Sequence, residues 1–186
     1  QEGFSINDND YLSFNGIDLK PIIEKYGTPL KLTYLPKIGM QVNKAKKMFE
    51  TAFKKHKYEG TYNYCYCTKS SHFSFVVEEA LKHNINLETS FAYDIDIINQ
   101  LYKRRKINKD IFIVCNGFKQ KSYTSRIAKL INSGFKNVIP VLDNKEELKK
   151  NVTTEKKLSA LIYKNQNSKY LSNKLSVKNA VLKILE

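Results

Sequence analysis

The stretch TYNYCYCTKSSHF, Thr61 to Phe73, reads as a strand running straight into a helix, and Lys69 ends the strand. Side chains alternate faces along a strand. Tyr62, Tyr64, Tyr66 and Thr68 fall on one face, and Asn63, Cys65, Cys67 and Lys69 on the other. Rings on one side and compact groups opposite suit a strand buried on both faces, with helices against the rings. The amine then ends the compact row, at the mouth of a crowded interior. A free lysine has a pKa of about 10.4 and is a poor nucleophile at neutral pH. Desolvation lowers that pKa and frees the lone pair to attack a carbonyl. Schiff-base chemistry is the functional reading of Lys69, and an ion pair with a neighbouring carboxylate is the structural one.

Three further polar residues end predicted strands: Glu88, Asn116 and Asp143. Ligands of α/β folds bind beyond the carboxyl ends of the strands, where loops and helix N-termini gather. Polar strand ends are also common simply because they meet water. Cys65, Cys67 and Cys115, with His72 nearby, raise the question of zinc. No second C-x-x-C or H-x-x-x-H pair accompanies them, so they read as small buried thiols of a reducing cytoplasm.

These residues need elements to position them, and the pattern supplies a regular series. TPLKLTY, Thr28 to Tyr34, is β-branched and apolar and predicts a strand. From Pro36, the spacing of Ile38, Val42, Ala45, Phe49 and Ala52 predicts a helix stopped near Gly60. After Lys69, Ser70 and Ser71 are candidate N-caps for a helix carrying Phe73, Val76, Val77, Ala80 and Leu81. NINLETS (84–90) is a strand. AYDIDIINQLYKRRK (92–106) is a helix striped by Ile95, Ile98 and Leu101. DIFIVCNG (110–117) is a strand, KSYTSRIAKLINSG (121–134) a helix, and NVIPVLDN (137–144) a strand, with a helix beginning at KEELKK. Such alternation marks a parallel sheet with crossover helices, either doubly wound or part of a (β/α) barrel. About four units fit, where a closed eight-unit barrel needs roughly 250 residues.

A hydrophobic fraction of 41% with 12% aromatic residues indicates a globular chain. No apolar run approaches the roughly 20 residues that span a bilayer, so no membrane partner is expected. The net charge of +14 keeps an anionic partner in view. Yet the cations are scattered along helices, and KRRK (103–106) and KKHK (54–57) sit at predicted helix ends, where they favourably meet the dipole. We read the charge mainly as solvated surface, with nucleic acid the less favoured partner.

Taken in order, the motifs resemble those of the pyridoxal-phosphate-dependent decarboxylases of ornithine, diaminopimelate and arginine, which use an alanine-racemase-like barrel. Tyr26-Gly27-Thr28-Pro29 matches the YGTP turn that opens the family, and Tyr66-Cys67-Thr68-Lys69 its Y-x-x-K strand end. The fuller string YCYCTKSSHF, with LETS, AYDIDII, IVCNGFK and VIPVLDN, looks most like the biosynthetic arginine decarboxylases of bacteria. The similarity covers residues 11–150. It implies that Lys69 holds pyridoxal 5'-phosphate as a Schiff base, and that arginine loses its carboxylate to give agmatine, a step of polyamine biosynthesis. Glu88 stands where the family carries an acidic residue near the cofactor. The resemblance also implies a homodimer or larger assembly.

The expected organisation is an N-terminal segment (1–35) that in the family joins a β-domain, the N-terminal half of the cofactor-binding barrel (36–150), and a divergent Lys/Asn-rich tail (151–186). The fold expected is therefore a partial (β/α)8 TIM barrel, about half present. The family's phosphate-binding glycine segment, the acid that pairs with the pyridine nitrogen and the C-terminal β-domain have no counterpart in the sequence. A truncated chain, inactive alone, is expected. A basic nucleic-acid-binding module, a non-catalytic remnant and another amino-acid decarboxylase of the same family are the alternatives.

Overall fold

The computed structural model describes residues 2–141. Asp143, the helix expected from KEELKK and the 151–186 tail lie outside them. The chain divides into two compact units, one running to Tyr34 and the other starting at Leu35.

The first unit holds strands β1 (Phe4–Ile6), β2 (Leu12–Phe14) and β3 (Ile17–Asp18), in an antiparallel meander. Sequence reasoning did not anticipate these strands. Asn15-Gly16 joins β2 to β3 with φ of 48° and 78° and leaves Phe14 opposite Ile17. Two successive left-handed residues make the hairpin turn that Asn-Gly favours. The Phe14 ring lies between Phe4 and Tyr34, at centroid distances of 4.8 and 5.2 Å. Helix α1 (Lys20–Tyr26) follows. Thr28–Tyr34, expected as a strand, has no strand pairing. Its β-branched composition is not enough, because no described strand offers it a hydrogen-bond ladder.

The second unit alternates helix and strand: α2 (Pro36–His56), β4 (Cys65–Cys67), α3 (Ser74–Leu81), β5 (Asn86–Thr89), α4 (Ala92–Lys103), β6 (Phe112–Cys115), α5 (Lys121–Asn132) and β7 (Asn137–Pro140). The four strands are parallel and stand in chain order, β4-β5-β6-β7. Right-handed crossovers that always step the same way put every helix on one face. Burial agrees: Leu87 and Thr89, Ile113 and Cys115, and Val138 are buried, while their alternate neighbours are not. Winding of this kind fits a partial α/β barrel and departs from the doubly wound sheet.

The core lies between that face and the helices. Val77, Ile95, Ile98, Leu101, Tyr123, Ile127 and Leu130 pack on Leu87, Ile113 and Val138. A smaller cluster joins Val42, Ala80 and Ile85 to Tyr64 and Tyr66, so the rings of the opening strand do face helices. That strand is shorter than the sequence suggests, with only Cys65–Cys67 in the ladder. Helix α2 ends on Lys57 in the left-handed conformation (φ 50°), three residues before the expected Gly60 stop. Helix α3 begins at Ser74 after an extended Phe73, so neither Ser70 nor Ser71 caps it. KRRK does sit at the end of α4, where Lys106 and Arg104 reach Glu78 at 2.8 and 3.8 Å.

Candidate active site at the carboxyl ends of the strands

One row of the helix-free face is set by register: Cys67 is opposite Glu88, Glu88 opposite Val114, and Val114 opposite Ile139. Two residues past Cys67, Lys69 lies at the carboxyl end of β4, on the rim where α/β folds bind ligands. It occupies a 3-10 turn, Thr68–Ser70. The turn is anchored by Thr68, which is fully buried and gives its hydroxyl to the Glu88 carbonyl at 3.0 Å. Ser70 gives its hydroxyl to the Cys67 carbonyl at 2.7 Å.

The amine expected to be shielded is exposed. Extended geometry stops at Thr68, so Lys69 does not end a crowded compact row. It makes no hydrogen bond or ion pair with another described residue, and the alternative of a structural bridge to Glu88 is not realised. Glu88 is half-buried, and its Oε1 accepts from Asn116 Nδ2 at 3.1 Å. Two of the four predicted strand-end residues therefore meet directly, a third stands at the same rim, and Asp143 is outside the described residues.

Cys115 belongs to the helix-facing side, whereas Cys65 and Cys67 belong to the other, so the sheet separates the three sulfurs. Burial pushes the Cys115 thiol up to about 11. Burial, and then the Glu88 carboxylate, raise Cys65. Both thiols stay protonated at neutral pH and are weak metal ligands and nucleophiles.

The rim holds polar groups that sequence reasoning missed. Asp94, in the first turn of α4, is fully buried. Its Oδ2 accepts the Ser90 backbone N–H at 2.7 Å, and its Oδ1 lies 3.0 Å from His72 Nε2. The half-exposed His72 ring meets Phe91 edge-on at 5.6 Å. Below them the Tyr123 and Thr89 hydroxyls are 2.7 Å apart, both buried, and burial raises the Tyr123 phenol. Lys119 is buried in the loop after β6 and gives Nζ–H to the Gly117 carbonyl at 2.5 Å. An acid in a helix's first turn and a histidine three residues from Lys69 were the available signals. Both read equally well as capping and surface residues.

Pyridoxal phosphate needs an accessible amine, and Lys69 is one, with the Glu88 carboxylate on the same rim. The described residues provide no glycine-rich cradle for its phosphate. The aldehyde end of the cofactor therefore fits here, and the phosphate end has no described seat.

No protein-family model matches the chain. It is 26% identical over 173 residues to the biosynthetic arginine decarboxylase of Prochlorococcus marinus (strain MIT 9312), covering 84% of this chain and 26% of that protein. The chain spans about a quarter of the length of the curated protein it matches. This distant likeness supports a relation to an arginine decarboxylase, without assigning the family.

Proposed function

We propose that this chain carries the amine-bearing part of a pyridoxal-phosphate-dependent decarboxylase site, and that the reaction of its lineage is decarboxylation of arginine to agmatine. The observation that carries the reading is Lys69: an accessible amine within Tyr66-Cys67-Thr68-Lys69, at the carboxyl end of a parallel strand. The likeness to an arginine decarboxylase supports it from the other side.

Bound there, the cofactor supplies an electron sink for the bond to the departing carboxylate. The chain's own residues do the rest. Lys69 provides the attachment point. Thr68 fixes the turn that presents it. Glu88, oriented by Asn116, keeps a carboxylate at the rim. Arginine is the proposed substrate, and an assembly of two or more copies with a cytoplasmic setting belongs to the same reading.

Acting by itself, the 186-residue chain is proposed to bind the cofactor weakly and not to turn over. An exposed amine without a described phosphate seat gives little preorganisation. The test adds pyridoxal phosphate, then arginine labelled in its carboxyl carbon, to wild type and Lys69→Ala. A visible absorbance band in wild type, lost in Lys69→Ala and unaccompanied by labelled carbon dioxide, is the expected result. Robust gas release refutes the inactivity, and a band that survives Lys69→Ala refutes the attachment site.

A further inference from the structure

We propose that His72, held by the buried Asp94, is the proton-transfer residue for the Lys69 amine; this deepens the reading above and rests on it. Asp94 is fully buried, and a buried carboxylate is retained only with partners for its oxygens. Holding the start of α4 takes one oxygen, through the Ser90 N–H at 2.7 Å. The other is spent on His72 Nε2 at 3.0 Å. An ionised carboxylate only accepts, so Nε2 must carry a proton. In the neutral ring Nδ1 is then the bare nitrogen, a base on a side chain that is half exposed. Phe91, edge-on at 5.6 Å, steadies the ring.

Lys69 is three residues away, about 10 Å of chain at most, and a lysine stem easily covers part of that span. Ser90 Oγ adds a second sign of a ligand at this rim: it is buried, and no described residue hydrogen-bonds to it. A residue serving only to cap a helix explains neither the half-exposed imidazole on Asp94 nor the unpartnered hydroxyl of Ser90, whose backbone N–H the same carboxylate accepts.

The step balances. Nδ1 takes a proton from the Lys69 ammonium, and the imidazolium is stabilised by Asp94. The free amine adds to an aldehyde carbon: one N–C bond forms, the carbonyl π bond breaks, and a proton passes from the nitrogen to the oxygen, making it a hydroxyl. The imidazolium proton then goes to the departing hydroxyl, which leaves as water, and a protonated imine remains at Lys69. Positioned acid–base groups of this kind accelerate such steps by about 10² to 10⁴.

The experiment labels the chain with pyridoxal phosphate and cyanoborohydride, and follows by mass spectrometry the rate at Lys69 against the rate at exposed Lys103 in the same tube. Lys69 should react about a hundredfold faster in wild type. In His72→Gln and Asp94→Asn the two rates should converge, and free imidazole should restore part of the difference in His72→Gln. Carbethoxylating the imidazole of wild-type protein should do the same without a mutation, and hydroxylamine should reverse it, which covers a variant that fails to fold. If Lys69 stays fast in both variants and after carbethoxylation, His72 has no such role and the Lys69 reading stands. If Lys69 is never faster than Lys103, both fall.

Discussion

Gly117→Ala should destabilise the fold by about 2–3 kcal/mol, and the structure says why. Gly117 has φ of +72°, and a Cβ built on it lies 2.3 Å from the Ser90 carbonyl oxygen. A left-handed conformation costs an L-residue roughly 1–2 kcal/mol. Relieving the clash to an ordinary 3.4 Å requires the two rim loops to part by 1.1 Å (3.4 − 2.3). The same movement would stretch the Asn116 N–H to Thr89 carbonyl bond from 2.8 Å to about 3.9 Å, beyond hydrogen-bond reach. Losing that bond adds about 1 kcal/mol. Gly134→Ala is the control: its φ of +98° carries the conformational penalty, but the nearest atom is the flexible Lys109 Nζ at 3.4 Å. Urea unfolding of the three proteins should give a Gly117→Ala loss exceeding that of Gly134→Ala by about 1 kcal/mol, with unchanged m-values. Equal losses would show that the loops after β5 and β6 are not pressed together, and the rim geometry would be wrong.

Other consequences concern the buried groups beneath the rim. Burial raises the Cys115 thiol from 9.0 unfolded to about 11 folded, so the native state holds its proton more tightly. The associated stability, roughly 2–3 kcal/mol, is fully present below pH 9 and is lost as pH rises towards 11. Tyr123, also raised by burial, shifts stability in the same direction. Unfolding curves across that window should flatten in Cys115→Ala, and an undiminished slope would count against the burial. Tyr123→Phe removes the 2.7 Å hydroxyl pair with Thr89, which keeps the Val114 carbonyl at 3.5 Å and the Cys115 thiol, so about 1 kcal/mol should be lost in denaturant titration.

The sequence carried the second unit further than the first. Ile95, Ile98 and Leu101 recur at helical spacing because α4 buries one stripe, and LETS and IVCNG mark strands because alternate residues there meet helices. Where burial is shallow the pattern weakens. β1 is exposed throughout and too short for a period to register, so Asn15-Gly16 was the available signal of the meander, and it went unread. Thr28–Tyr34 had the composition of a strand without a partner, and pairing is a property that composition does not contain. Lys69 was placed at the right strand end, but strand parity stopped applying at the 3-10 turn, and with it the expected shielding. Glu88 and Asn116 were legible as strand ends, although their mutual hydrogen bond depends on the register of β5 against β6. Asp94 and His72, 22 residues apart, meet only because two consecutive crossovers begin at the same rim.

The most direct measurement maps the lysine that condenses with pyridoxal phosphate. After brief exposure to substoichiometric cofactor and reduction with borohydride, the digested protein should carry the label overwhelmingly on the peptide containing Lys69. Label spread evenly over the surface lysines would contradict a reactive amine at the carboxyl end of β4, and the decarboxylase reading would lose its anchor.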